Sequence, residues 1–346
     1  MNSVETPKVK RETKNKIRVD FERTPLLQRL RAKFLNFYTV KKALWYLFRF
    51  LLLLGVSYVI LFPFFTKISA SFMSSSDFTD VTVLLIPKHP TLATYKAIIA
   101  ENGYFKAMGN TFLLSFICGV LQTFVCTMIG YGFAKFKFKG SKALFLAVIF
   151  TMVVPHATLR FAMFVKFKSF DVLWIGKLLN TIGLTPDPGI NMLNTNWPLW
   201  ILSATGLAYK NGLFIFLMRQ FFKGIPDELE ESAYLDGSGV FKTFILIILP
   251  LSVTMMITVF MFSFCWQWTD TFYANLFYTK SGNALLPSII KTPASLAEEV
   301  SKAGGTLYSS AIQNTCGLLI IFPLIILYLF GQKYIVQGIE RSGITG

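Results

Sequence analysis

The sequence predicts an all-α, polytopic membrane protein with six transmembrane helices, and three observations carry that prediction. The chain is 53% hydrophobic and only 15% charged, with 36 Phe in 346 residues; an ordinary soluble domain carries about 25% charged residues. Three runs contain no charged residue at all: Ala107 to Ala134 over 28 positions, Thr243 to Thr269 over 27, and Ala303 to Gln332 over 30. A helix rises 1.5 Å per residue, so about 20 residues cross a hydrocarbon core of roughly 30 Å. A buried helix of a soluble core seldom reaches such lengths without a polar face. Basic residues then set the orientation. The first 43 residues hold 12 Lys and Arg, and the short loop Tyr131 to Lys142 holds Lys135, Lys137, Lys139 and Lys142. Such clusters mark cytoplasmic segments, which puts both termini in the cytoplasm.

Residues 1–43 read as a basic cytoplasmic tail. Residues 1–22 are charged and poor in aromatics, a composition that predicts disorder. Further on, Thr24 suits an N-cap and Pro25 the first helical position. Leu26, Leu30, Phe34 and Phe37 then recur at helical spacing between Arg29, Arg31 and Lys33. That pattern predicts a helix on the inner membrane lipid surface, with a tether lacking structure as the alternative. No nucleic-acid module accompanies the basic tail, and orientation bias accounts for the net charge of +16.

Residues 44–106 hold the first span, about 44–66, and an external segment. The span follows a charged tail and lacks a cleavage site, so it reads as a retained anchor. Residues 107–332 hold five more spans: 107–134, 143–165 interrupted by His156 and Arg160, 198–218 interrupted by Lys210, 243–269 and 303–332. Residues 333–346 return to the cytoplasm. Cys118, Cys126, Cys265 and Cys316 all fall within spans without metal-ligand spacing, and read as small packing residues.

The loop 220–243 carries the main acidic cluster. Pro226 suits a helix start, Asp227, Glu228 and Glu230 suit the positive end of its dipole, and Gly237 suits a left-handed stop. A helix over 226–236 follows. Leu229 and Ala233 share one face with Ser232 beside them, while Asp227, Glu230 and Tyr234 point another way. Periodicity alone leaves two readings open: a grip for another protein, or an amphipathic helix lying on the membrane.

Catalytic chemistry finds no residues here. The Gly176–Lys177 pair is followed by Leu178, so no phosphate-binding loop forms. His89 and His156 have no metal-ligand spacing, and no partnered nucleophile occurs. Polar groups at membrane depth point instead to a solute path. Lys210 and Asn211 lie on the fourth span, Lys210 about 12 Å inside its cytoplasmic edge. His156 sits beside Pro155, with Arg160 one turn further out. Trp266, Gln267 and Trp268 end the fifth span. Aromatic faces with amides and cations suit sugar rings and hydroxyls, and Lys210, Arg160 and His156 suit an anionic sugar such as a uronate oligosaccharide.

From Glu231 the chain reads "ESAYLDGSGVFKTFILIILP". This resembles the EAA loop of ABC-importer permeases, with Glu231, Ala233, Asp236, Gly237, Phe244, Ile247, Leu249 and Pro250 in place and Ser232 and Ser238 standing for alanines. "NTFLLS" from Asn110, "GYGFAKFKFKG" from Gly130 and "QKYIVQGIERSGITG" from Gln332 are similar to the carbohydrate-uptake, maltose-type branch. The resemblance covers about residues 44–346 and implies a type I importer permease fold in a bacterial plasma membrane. It implies that Glu230, Glu231, Ser232, Ala233, Leu235, Asp236 and Gly237 form a coupling helix gripped by an ATPase, with Glu231 facing an arginine there. The implied partners are a homologous second permease, two ATP-binding subunits that hold ATP and magnesium, an extracellular solute-binding protein, and an oligosaccharide. This chain itself would hold no cofactor. A polyol or glycerol phosphate importer, or a non-transporting membrane scaffold or sensor, are the alternative functions.

Overall fold

The computed structural model describes residues 9–12, 18–21, 37–171, 175–183, 189–279, 284–302 and 305–343. The chain divides into two units, Met1–Lys67 and Ile68–Gly346. In the first, strands β1 (Val9–Glu12) and β2 (Arg18–Phe21) pair antiparallel, where composition alone predicts disorder. Their backbone register pairs Val9 with Phe21, Lys10 with Asp20, Arg11 with Val19 and Glu12 with Arg18. The surface helix predicted from Thr24 falls on residues 22–36 and so lies outside the described residues. Helix α1 (Phe37–Ser71) follows and is long and apolar enough to cross a membrane from Val40 to Ser71.

The second unit is helical. The connection between α1 and the next helix is clipped by Lys88, whose Nζ lies 2.6 Å from Asp80 Oδ2, and by His89, whose Nδ1 lies 2.9 Å from the buried Asp77. The Lys88 ammonium hydrogen-bonded to Asp80 holds that carboxyl well below the usual carboxylate range. There follow α2 (Ala93–Glu101), α3 (Tyr104–Lys135), α4 (Ser141–Val153), α5 (Arg160–Lys168), α6 (Ile175–Thr181), α7 (Trp197–Ala204), α8 (Asn211–Lys223) and α9 (Glu228–Leu235). The set closes with α10 (Val240–Trp268), α11 (Phe272–Phe277), α12 (Ala297–Lys302) and α13 (Thr306–Gly343). α10 carries a π-helical turn at Phe244–Ile248, just before Pro250.

Against the six spans expected, four helices among the described residues, α1, α3, α10 and α13, are each long and apolar enough to cross a membrane, or five spans if the bent pair α4–α5 is one. The break in that pair is 93°. Pro155 causes it: proline has no N–H and forces the preceding Val154 out of helical backbone, here to φ −65°, ψ 121°. The fourth predicted span is two short helices, α7 and α8, separated by Thr205 to Lys210. Gly206 in that break adopts φ +74°, which glycine alone reaches without strain. Lys210 therefore sits on the break as the N-cap of α8, rather than inside a continuous helix. The break exposes backbone groups that a bilayer does not tolerate unless they line a cavity or are buried in protein.

α3 is the central post. It packs along α8 and α10, and α10 packs along α13. Small and hydroxyl residues let these helices approach: Thr111, Ser115, Gly119, Thr123, Thr127 and Gly130 are buried on α3. At Gly130 the approach is so close that an added Cβ would stand 2.6 Å from Met218 Cβ and 3.0 Å from the Arg219 nitrogen. Gly130→Leu is accordingly expected to destabilise the fold by about 3 kcal/mol or more through overpacking. Gly132→Ala, at a site with nothing within 4 Å, should leave the melting temperature of the detergent-purified protein unchanged or raised. Equal melting temperatures for both variants would refute the close approach. Cys118, Cys126 and Cys316 are buried, Cys265 is half-buried and all four are free thiols, as packing residues should be.

Candidate functional site

Two places in the second unit bring functional groups together. The first is α9, whose eight residues match the predicted 226–236 helix within its ends. Its C-terminus closes by two backbone bonds. Ser238 N–H reaches the Ala233 carbonyl at 2.9 Å and Gly237 N–H reaches the Tyr234 carbonyl at 3.0 Å. That pair is a Schellman cap, and it needs a left-handed residue at Gly237, observed at φ +78°.

The two faces of α9 differ from the expected ones. Glu230 and Ala233, expected at the partner interface, are both buried in this chain. Tyr131 Oη donates to Glu230 Oε1 at 2.9 Å. Lys135 Nζ donates to Asp227 Oδ1 at 2.5 Å and to the Ile225 carbonyl at 2.7 Å, and lies 3.8 Å from Glu230 Oε2. The Lys135 ammonium bonded to Asp227 holds that carboxyl below its ordinary value. Lys135, which the sequence presents as one more loop cation, has a side chain only 6% exposed. Glu231, Ser232, Asp236 and Gly237 remain exposed, and Leu235 stands out at 89% exposure. An eight-residue helix gives too few repeats for periodicity to tell these faces apart. The groups that decide the matter, Tyr131 and Lys135, lie roughly a hundred positions away.

The second place is the break before α8. Lys210 Nζ lies 4.1 Å from the Tyr209 ring centroid and 5.0 Å from that of Trp266. The His156 ring meets Tyr209 edge-on at 4.4 Å and approaches Tyr273 at 6.4 Å. Around them is a small cavity of about 30 Å³ lined by Gln122, Tyr209, Lys210, Ser263, Trp266, Gln267, Asp270 and Tyr273. A neighbouring cavity of about 180 Å³ shares Tyr209 and Lys210 and adds His156 and Pro155. Gln122 is held by both flanking helices: its Nε2 donates to Ser203 Oγ at 3.1 Å, and its Oε1 accepts from Ser263 Oγ at 2.9 Å. Asp270 accepts from the backbone N–H of Tyr273 at 2.9 Å and of Ala274 at 3.2 Å. Burial pushes its carboxyl up to about 6, against the opposing pull of those backbone bonds. Among the described residues no ion pair joins Lys210 to any acid. The arrangement is an aromatic-walled cavity with one cation, one high-pKa acid and amides at its edge. Its groups match a hydroxyl-rich ring and one negative charge in kind, while its volume in this conformation is that of about one water molecule.

The structure thus brings Lys210, His156, Trp266 and Gln267 together, but not the other three expected residues. Trp268 turns into the core, 2% exposed, with Nε1 donating to the Ile320 carbonyl at 2.9 Å. Asn211 is fully buried, off the cavity wall, its side-chain amide without a hydrogen-bond partner. Arg160 is exposed and lines a different cavity of about 390 Å³ with Phe161, Phe164, Asn275 and Thr279. Sequence reasoning missed Gln122, Tyr209, Ser263, Asp270 and Tyr273. Gln122 had a signal, as one of only two side-chain amides in a charge-free run of 28 residues. The others look like ordinary span or loop residues until the breaks fold them together.

Residues 126–341 match the family model described as "Binding-protein-dependent transport system inner membrane component". Similar proteins include the galactooligosaccharides transport system permease protein GanQ of Bacillus subtilis, 27% identical and covering 89% of this chain and 98% of that one. The polygalacturonan/rhamnogalacturonan transport system permease protein YtcP of the same organism is 24% identical, over 85% of this chain and 96% of its own. Among solved structures, a chain of a bacterial ABC transporter involved in the import of the acidic polysaccharide alginate shares the fold. It has a TM-score of 0.64 at 18% identity and covers 86% of this chain and 99% of that one.

Proposed function

The chain belongs to the family of binding-protein-dependent transport system inner membrane components, and from that premise we propose that it is the membrane-spanning permease of an ATP-driven oligosaccharide importer. The observation that carries the reading is α9: a short acidic helix, rigidly capped, with one face bonded into its own chain and the other bare. A helix that is fixed on one side and free on the other can pass force if a second protein holds the free face.

In this reading an ATP-binding subunit grips Glu231, Ser232, Leu235, Asp236 and Gly237. Glu231 meets a cation of that subunit and Leu235 enters an apolar hollow. Nucleotide and magnesium stay on the partner. A homologous permease supplies the other half of the path, and an external binding protein delivers the solute. The cytoplasmic side holds both termini, the Lys135–Lys142 loop and α9, in keeping with their charge. The solute passes by the cavity at Lys210, where Tyr209 and Trp266 offer ring faces and Lys210 a charge without an acidic partner. Acidic saccharides fit that chemistry, and saccharides are the named cargo of the relatives.

Purification tests the reading. The tagged protein, expressed with its neighbouring genes, should co-purify with an ATP-hydrolysing subunit. Hydrolysis should rise severalfold when binding protein and saccharide are added together. A permease that purifies without any nucleotide-binding partner, or a complex indifferent to the binding protein, would overturn it.

A further inference from the structure

Tyr131 and Lys135 are not explained by the fold alone. Of the residues of α9 only Glu230 and Ala233 are buried. The side-chain bonds that hold this helix and its N-cap come from one place, the last turn of α3. Tyr131 reaches Glu230 at 2.9 Å, while Lys135 reaches Asp227 at 2.5 Å and the Ile225 carbonyl at 2.7 Å. The Tyr131 ring is itself caged. Its centroid lies 5.5 Å from Phe222 at the end of α8, 5.5 Å from Phe136, and 4.7 Å from Phe244 in the π turn of α10. Four elements therefore meet at one phenol. An apolar contact would hold α9 against α3 but let it slide. Three directional bonds fix its translation and rotation, even though burying a carboxylate and an ammonium is a poor way to gain stability.

α3 also reaches the solute cavity. Gln122, nine residues before Tyr131 and so about 13 Å along the helix, lines that cavity and bonds both α7 and α10. Between the two points, Gly130 presses α3 against α8 too closely for independent sliding.

We infer that Tyr131 and Lys135 are positioning residues that lock α9 to α3, so that displacement of α9 is delivered along α3 to the cavity at Gln122. This rests on the importer reading above, and extends it by naming the joint inside this chain. The alternative is that the pair only satisfies a buried acid and keeps the loop folded.

The test uses the assembled complex with its ATPases and binding protein, and a reporter that needs no knowledge of the solute. Met152→Cys, in a Cys265→Ser background, places a thiol on the neighbouring cavity wall. The rate at which a fluorescent maleimide labels it is compared without nucleotide and after trapping with ATP and vanadate. Tyr131→Phe keeps the caged ring and removes only the bond to Glu230; Lys135→Met removes the ammonium; Lys135→Arg keeps the charge. The first two should shrink the trapping-dependent change in labelling by roughly fivefold per assembled complex, and Lys135→Arg should largely keep it. A merely structural role would lower the yield of complex and leave the change per complex as in the parent. That result, or a parental change in Tyr131→Phe, overturns the inference while the importer reading stands. A parent complex whose labelling ignores ATP overturns both.

Discussion

Substituting Leu235 by aspartate is expected to lower stimulated ATP hydrolysis by roughly tenfold to a hundredfold in the purified complex, with folding and membrane insertion unchanged. Leu235 is the last residue of α9 and is 89% exposed, so nothing in this chain depends on it. A leucine side chain that is buried on binding contributes about 1.5–3 kcal/mol, and a tenfold change in an equilibrium corresponds to about 1.4 kcal/mol. A carboxylate in the same hollow adds its own desolvation. Gly237→Val should act in the same direction by another route. Its backbone at φ +78° is strained for a β-branched residue, so the cap would open and the tip of α9 would be misdirected. Glu228→Gln, on the exposed first turn and outside the proposed grip, serves as the control with parental hydrolysis. Stimulated hydrolysis at the parental level in both Leu235→Asp and Gly237→Val would show that α9 is not the gripped element.

Much of this architecture is legible in the chain because its physics is local. A charge-free run of 28 residues must lie in lipid or a core, and α3 and α10 appear where such runs lie. Gly237 stops α9 because only a left-handed residue completes that cap. What is not legible depends on contacts distant in sequence. Glu230 reads as a first-turn acid facing a partner and is instead buried by a tyrosine and a lysine at the far end of α3. Trp268 reads as one of three polar-tipped residues at a span end, yet the phase of α10 sends it into the core. The break before α8 is announced only by Gly206 and by Lys210 itself, and a hydropathy window averages across both. The breaks in α4–α5 and α7–α8 are also where the groups of the proposed solute path gather. A bilayer admits irregular backbone only around a cavity or protein contacts, so the breaks in the third and fourth predicted spans and the gathering of these groups have one cause.

Replacing Lys210 by methionine is expected to cut uptake of an acidic oligosaccharide, with trigalacturonate as the probe, by roughly tenfold or more, and to leave a neutral one such as maltotriose within about twofold. Methionine keeps the apolar stem against Tyr209 and Trp266 and removes only the charge. A hydrogen bond to a charged group is worth about 1.5–3 kcal/mol, which sets the size of the loss. Lys210 meets ring faces and, among the described residues, forms no ion pair, so a solute carboxylate need not displace one. Asp270 lines the same cavity and opposes such a solute when it is ionised. Its carboxyl is pushed up to about 6 by burial, so it is mostly charged at pH 7 and mostly neutral at pH 5. The uronate carboxylate stays charged over that range. The ratio of acidic to neutral uptake should therefore rise as the external pH falls from about 7 to about 5, and Asp270→Asn should flatten the rise. Equal losses for both probes in Lys210→Met would make Lys210 a structural residue of the break. A ratio independent of pH would place the solute's charge away from Asp270.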